Sequence, residues 1–216
     1  MSLSSEEINR KLLHGLAVIL PAAIFYGPAT SKLSAPAVSC LLGVLLAFSL
    51  LVERVRFRNS RVRDLFNRFF GSMLRAEEAA KLTGATYVLA GSFLCSLLAL
   101  QGTVHAAAAF LGLALFILGD AAAALTGKAF GRIRIGDKTL EGALGCFLLC
   151  AVLAAFLFPA LPDFTDTWGE IGPVRILVLS ALVALLELFP IRLRGFTLND
   201  NLYVPVLVTL FLLVTR

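Results

Sequence analysis

The sequence predicts an all-α fold: a polytopic membrane helix bundle of about seven transmembrane helices, N-terminus inside, with an added basic interfacial helix. Three observations predict it. Mean hydropathy is +0.90 over 216 residues, with 59% apolar and only 15% charged residues, which is the composition of a membrane protein and not of a water-soluble domain. The apolar residues fall into seven runs near the length of roughly 20 residues that a spanning helix needs. The lysines and arginines concentrate in alternate connections between those runs.

The N-terminal stretch MSLSSEEINRKLLHG opens with acids and lacks a basic region followed by a cleavage motif, so no removed signal peptide is expected. Ser4 and Glu7 have capping-box spacing and predict a helix start near Ser4. Spans are expected over residues 12–26, 35–52, 83–100, 104–125, 143–161, 174–190 and 202–214, with six spans and a re-entrant segment as the alternative. The whole chain reads as a single domain over 1–216. Its cytoplasmic interfacial segment covers about 53–82, where Val62, Leu65, Phe66, Phe69, Phe70, Met73 and Leu74 recur on one helical face among arginines.

That segment carries Arg54, Arg56, Arg58, Arg61, Arg63, Arg68, Arg75 and Lys81, and the positive-inside rule places it in the cytoplasm. The N-terminus, the 119–142 segment and the 192–201 segment then lie on the same side, and together these regions hold 16 of the 19 lysines and arginines. The net charge of +5 is therefore topological, and no nucleic-acid partner is expected. The lipid bilayer is the expected surrounding. Cys40, Cys95, Cys146 and Cys150 sit inside apolar runs without metal or redox spacing and read as small core residues. Alanines at 106–109 and 121–124 point to close helix packing.

Candidate chemistry concentrates in GDAAAALTGKAFGRIRIGDKTLEG, residues 119–142, read as a nucleotide-site loop. Asp120 is an intramembrane acid, costly unless it has a partner or a task. Gly127, Gly131 and Gly136 are expected to turn backbone N–H groups toward an anion, with Lys128, Arg132, Arg134 and Lys138 neutralising it. Thr139, Glu141 and Gly142 stand where a helix N-terminus can receive phosphate. The spacing is not a Walker A motif, since Ala122 and Ala129 occupy its glycine and hydroxyl positions. Glu187 and Asp200 join Asp120 on the same face as an oxygen-ligand set suited to Mg²⁺. Arg10, Lys11 and His14 share a helical face at the entry to the first span, either as anchors or as a phosphate or substrate contact.

These residues resemble the family of CTP-dependent lipid kinases that includes dolichol kinase, phytol kinase and CTP-dependent diacylglycerol kinase. The resemblance rests on R-K-x-x-H at Arg10, Lys11 and His14, on E-x5-TGATY ending at Tyr87, on GDAAAALTGKAFG, on K-T-x-E-G from Lys138 to Gly142, and on N-D-N-L-x-V-P from Asn199 to Pro205. The central block is shared with phosphatidate cytidylyltransferases, whose longer C-terminal signature this chain lacks. Asn199 also stands where the kinases often have a first aspartate.

The resemblance implies an enzyme that transfers the terminal phosphate of CTP to the hydroxyl of a membrane lipid alcohol: polyprenol or dolichol, phytol, or diacylglycerol. Its site would face the cytoplasm of a multi-pass protein in a bacterial inner membrane or an endoplasmic-reticulum-type membrane. It implies catalytic roles for Asp120, Lys138, Glu141 and Asp200, with Mg²⁺ held by Asp120 and Asp200, and by Glu187 as a further ligand. Lys128, Arg132 and Lys138 would meet the triphosphate, Glu141 would orient Lys138 or accept the hydroxyl proton, and Asn201 would fix a phosphate or metal-bound water. A CDP-diacylglycerol-forming cytidylyltransferase, and a non-enzymatic transporter or scaffold, are the competing readings.

Overall fold

The computed structural model describes residues 10, 14–30, 33–71, 74, 76–193 and 196–216. Lys11, Met73, Arg75 and the helix start expected near Ser4 lie outside the described residues. Helices dominate, as the apolar runs require: α1 (Ile19–Thr30), α2 (Ala35–Arg58), α3 (Ser60–Phe70), α4 (Gly84–Ala99), α5 (Thr103–Phe130), α6 (Leu140–Val152), α7 (Phe164–Trp168), α8 (Pro173–Leu188) and α9 (Asp200–Val214). α6 runs on through a π-helical turn, Leu153–Leu157, to Ala160.

Each expected span coincides with an apolar helix. Three are long and apolar enough to cross a membrane: Ala35–Arg58, Thr103–Phe130 and Leu140–Ala160, while His14–Thr30, Gly84–Ala99 and Asp200–Val214 are shorter. Their ends follow local chemistry. Ser34 caps α2 by accepting from the Ala37 N–H at 3.4 Å, with Pro36 in the first turn. Asn59 closes α2 and opens α3: its N–H donates to Val55 O, and its Oδ1 accepts from the Arg61 N–H at 2.9 Å. The chain therefore passes from α2 to α3 at a single residue. α3 buries none of its residues and leaves Leu65, Phe69 and Phe70 exposed beside its arginines, the pattern of a helix resting in a membrane interface.

α5 is the hub. Ala106, Ala107, Ala108 and Ala109 are all buried, and their small side chains let neighbouring helices approach, as the alanine run predicts. Toward one end, Phe25, Phe110, Phe158 and Phe164 form an aromatic cluster in which Phe25 and Phe110 stack at 5.4 Å. The surface is the inverse of a soluble one, with Phe48, Phe156, Val174 and Val214 among many exposed apolar side chains. Cys95, Cys146 and Cys150 are buried, whereas Cys40 is exposed, against its reading as a core residue.

The all-α expectation holds, with two short interruptions. Two small antiparallel hairpins, β1 (Arg134–Ile135) with β2 (Lys138–Thr139) and β3 (Arg192–Leu193) with β4 (Phe196–Thr197), interrupt the helices. The 119–142 segment is correspondingly not one loop. Its first half continues α5 as far as Phe130, because four successive alanines favour helix. Its middle is the β1–β2 hairpin and its end is the first turn of α6.

Candidate active site

Three carboxylates from three helices converge. Asp120 of α5, Glu187 in the last turn of α8 and Asp200 in the first turn of α9 each offer an oxygen, and these oxygens lie within 4.8 Å of one another. Asp120 and Glu187 are buried, 6% and 4% exposed, and Asp200 is half-buried. Local sequence puts each acid there. Gly119 leaves room for Cys146, whose Sγ lies 2.8 Å from where a Cβ would stand. Asn199 caps α9 by accepting from the Asn201 N–H at 3.1 Å, which sets Asp200 at a helix N-terminus that favours negative charge.

Lys138 meets this cluster from the hairpin. The two-residue loop Gly136-Asp137 has a positive φ of 61° at glycine alone, which tightly reverses the chain between Ile135 and Lys138. The ammonium then donates to Glu187 Oε1 and, at 3.2 Å, to Asp200 Oδ2. Burial by itself would lower the Lys138 pKa. The charges of Glu187 and Asp200 outweigh that and hold it above its ordinary value, so the lysine stays charged across the physiological range. From the N-terminal side, His14 Nε2 comes within 3.2 Å of Asp120 Oδ2, with its ring edge-on to Phe116. Arg10 is helical and half-buried.

Glu187 Oε2 is the informative atom. It is buried and has no hydrogen-bond partner among the described residues, although an orphaned carboxylate oxygen in an apolar interior is expensive. An all-oxygen donor set from three acids, with one acceptor unsatisfied, fits a hard divalent cation such as Mg²⁺.

The glycines have a different task from the one expected. Gly127 lies inside α5, the Gly131 N–H donates to Gly127 O, and the Gly142 N–H donates to Thr139 Oγ1, so these N–H groups are already used. A Cβ on Gly127 would meet Thr139 Oγ1 at 2.6 Å, and one on Gly142 would meet Ala123 O at 2.7 Å. They are contact points where α5 crosses the start of α6, not an anion cradle. Gly142→Ala is accordingly expected to cost about 1–3 kcal/mol through backbone displacement. A lowered melting temperature checks this; an unchanged one with weaker nucleotide binding would restore the cradle.

Glu141 also departs from expectation. Its carboxylate accepts the Ile133 N–H at 3.2 and 3.3 Å and so braces the entry to the hairpin, while Lys138 points to Glu187 and Asp200. Lys128 and Arg132 are exposed and, with Phe130, Gly131 and Glu141, line a cavity of about 460 Å³ beside the hairpin. Asn201 is buried against α4, its backbone oxygen 2.6 Å from where a Cβ of Gly91 would stand.

Sequence reasoning missed one buried network. Glu53 and Arg56, 2% and 1% exposed, pair at the end of α2; Arg56 Nη2 donates to Glu78 O and Lys81 O, and Glu53 Oε1 accepts from the Thr83 N–H. The available signal was an acid three residues before an arginine in an otherwise basic run.

Nothing among known family profiles matches the chain, and no solved structure matches it. The chain is similar to an uncharacterized protein of Rickettsia prowazekii, 26% identical over 203 residues, which cover 92% of this chain and 89% of that protein.

Proposed function

We propose that this protein is a CTP-dependent lipid kinase that moves the terminal phosphate of CTP onto the hydroxyl of a membrane lipid alcohol. The observation that carries this reading is the buried Asp120–Glu187–Asp200 cluster with Lys138 bonded into it and Glu187 Oε2 unsatisfied. Phosphoryl transfer asks a protein mainly for positioning and for charge to offset the phosphates, and a cluster of three acids and a lysine at the end of a helix bundle meets that demand. The apolar girdle supports the other half, because a lipid keeps its tail in the bilayer while its hydroxyl meets the site.

In this reading seven helices span the membrane, the N-terminus is inside, and the site faces the cytoplasm. Asp120, Glu187 and Asp200 hold Mg²⁺, which supplies charge neutralisation at the phosphate oxygens when bound. Lys138 meets the transferred phosphate, and Lys128 and Arg132 supply positive charge for the rest of the nucleotide from the cavity that they line. The lipid hydroxyl oxygen attacks the γ-phosphorus, the bond from that phosphorus to the β-phosphate's bridging oxygen breaks, and CDP leaves. His14, whose Nε2 lies 3.2 Å from Asp120, takes the hydroxyl proton. Glu141 braces the hairpin that carries Lys138.

Purified protein incubated with a lipid alcohol and CTP labelled separately at the α- and γ-phosphates is expected to place only the γ label in lipid. Label from the α-phosphate, with phosphatidate as acceptor, would make it a cytidylyltransferase. No incorporation from either, across polyprenol, phytol and diacylglycerol, would remove the enzymatic reading in favour of a transporter or scaffold.

A further inference from the structure

The Lys138 ammonium sits on oxygens of two of the three acids, Glu187 Oε1 and Asp200 Oδ2, while the three acids crowd within 4.8 Å. Three carboxylates this close repel one another, and the lysine on Glu187 and Asp200 relieves the repulsion at those two acids. A divalent cation drawing on the same carboxylates would face that ammonium at short range, where like charges in a desolvated site oppose each other strongly. Lys138 is also built to leave. It rides on a two-residue hairpin whose turn is exposed, its stem is flexible, and its side chain is 29% exposed. The exposed Lys128 and Arg132 near the same hairpin show which way an incoming polyanion is drawn.

We propose that Lys138 is an exchangeable counter-ion, so that the site takes its divalent cation only together with a polyphosphate. The phosphate oxygens replace the carboxylates as partners of the ammonium, and the cation replaces the ammonium on the carboxylates. The ligand class is thus a cation–polyphosphate complex bound as a unit, with free cation and free polyphosphate each bound weakly. This rests on reading the three acids as cation ligands, as above. It does not depend on which lipid, or whether any lipid, is the acceptor.

The test is Mn²⁺ binding to the full chain in detergent, followed by electron paramagnetic resonance at fixed free Mn²⁺, with and without inorganic tripolyphosphate. Wild type is expected to bind Mn²⁺ weakly alone and at least tenfold more tightly with tripolyphosphate. Lys138→Met is expected to bind Mn²⁺ alone at least tenfold more tightly than wild type and to lose most of the enhancement. Mn²⁺ should also raise its melting temperature more than that of wild type. Lys138→Arg, which keeps the charge, should behave as wild type. Equal Mn²⁺ affinity in wild type and Lys138→Met, or tightening in Lys138→Arg as well, overturns the exchange while leaving the cation site standing. Absence of bound Mn²⁺ in every variant, with or without tripolyphosphate, removes the cation site and the proposed function with it.

Discussion

On the proposed kinase reading, Asp120→Asn is expected to lower transfer of the γ-phosphate of CTP to lipid by roughly 10³-fold, with little change in melting temperature. Asparagine preserves the shape of the side chain, so the closely packed middle of α5 has no reason to rearrange. What changes is charge. One of three converging carboxylates becomes a neutral amide whose NH₂ group is a donor where a cation would require an acceptor. The contact with His14 at 3.2 Å changes with it, since an amide no longer stabilises a charged imidazole. Both effects act on the same step and cannot be added as independent losses. Turnover within tenfold of wild type, measured with labelled CTP on folded protein, would remove Asp120 from the machinery. The same variant should bind Mn²⁺ more weakly in the presence of tripolyphosphate, which separates loss of the ligand from loss of the base.

Much of this arrangement is legible before any coordinates. Seven apolar runs each overlap an apolar helix, although several ends are displaced by more than a turn, because a long apolar run satisfies its backbone polar groups best as a helix. Basic-residue placement is expected to put residues 119–142 and Asp200 on one side, and Asp120 and Asp200 from those segments do converge with Glu187. What one-dimensional reasoning misses is specific. Glycines that let helices cross and glycines that cradle an anion look alike in sequence, and only the contact of Gly142 with Ala123 O separates them. Hairpins with two residues per strand are too short to show a period. Lys138 faces Glu187 and Asp200, residues 49 and 62 positions away, while the nearby Glu141 is spent on the Ile133 N–H. Sequence proximity favoured the wrong acid. Arg56, read as one more positive-inside charge, is fully buried because Glu53 sits one helical turn before it.

That last pair carries the largest expected effect on stability. Glu53→Ala is expected to destabilise the protein by about 3–5 kcal/mol, because it leaves a buried guanidinium without its counter-ion. The loss has several parts. Arg56 Nε loses its acceptor at 2.5 Å, the Thr83 N–H at the start of α4 loses the carboxylate 2.9 Å away, and Thr86 Oγ1 loses its acceptor at 3.1 Å. Arg56 itself cannot withdraw to water, since Phe57 and Phe66 stack on its guanidinium at 4.5 and 5.1 Å and the carbonyls of Glu78 and Lys81 hold its other end. The companion Arg56→Met should cost a similar amount by stranding the carboxylate. Replacing both, Glu53→Leu with Arg56→Met, should cost much less than the sum, since an apolar pair carries no desolvation penalty. A remainder of about 1 kcal/mol per lost carbonyl bond at Glu78 and Lys81 is expected to persist. Thermal unfolding of the two single variants and the double in detergent measures this, and strictly additive losses would mean the two charges do not act as a pair. The consequence reaches the site through packing: the clamp fixes the start of α4, and α4 meets the backbone of Asn201, next to Asp200, with no space at Gly91. A loosened clamp should therefore weaken cation binding at the carboxylates even though neither clamp residue touches them.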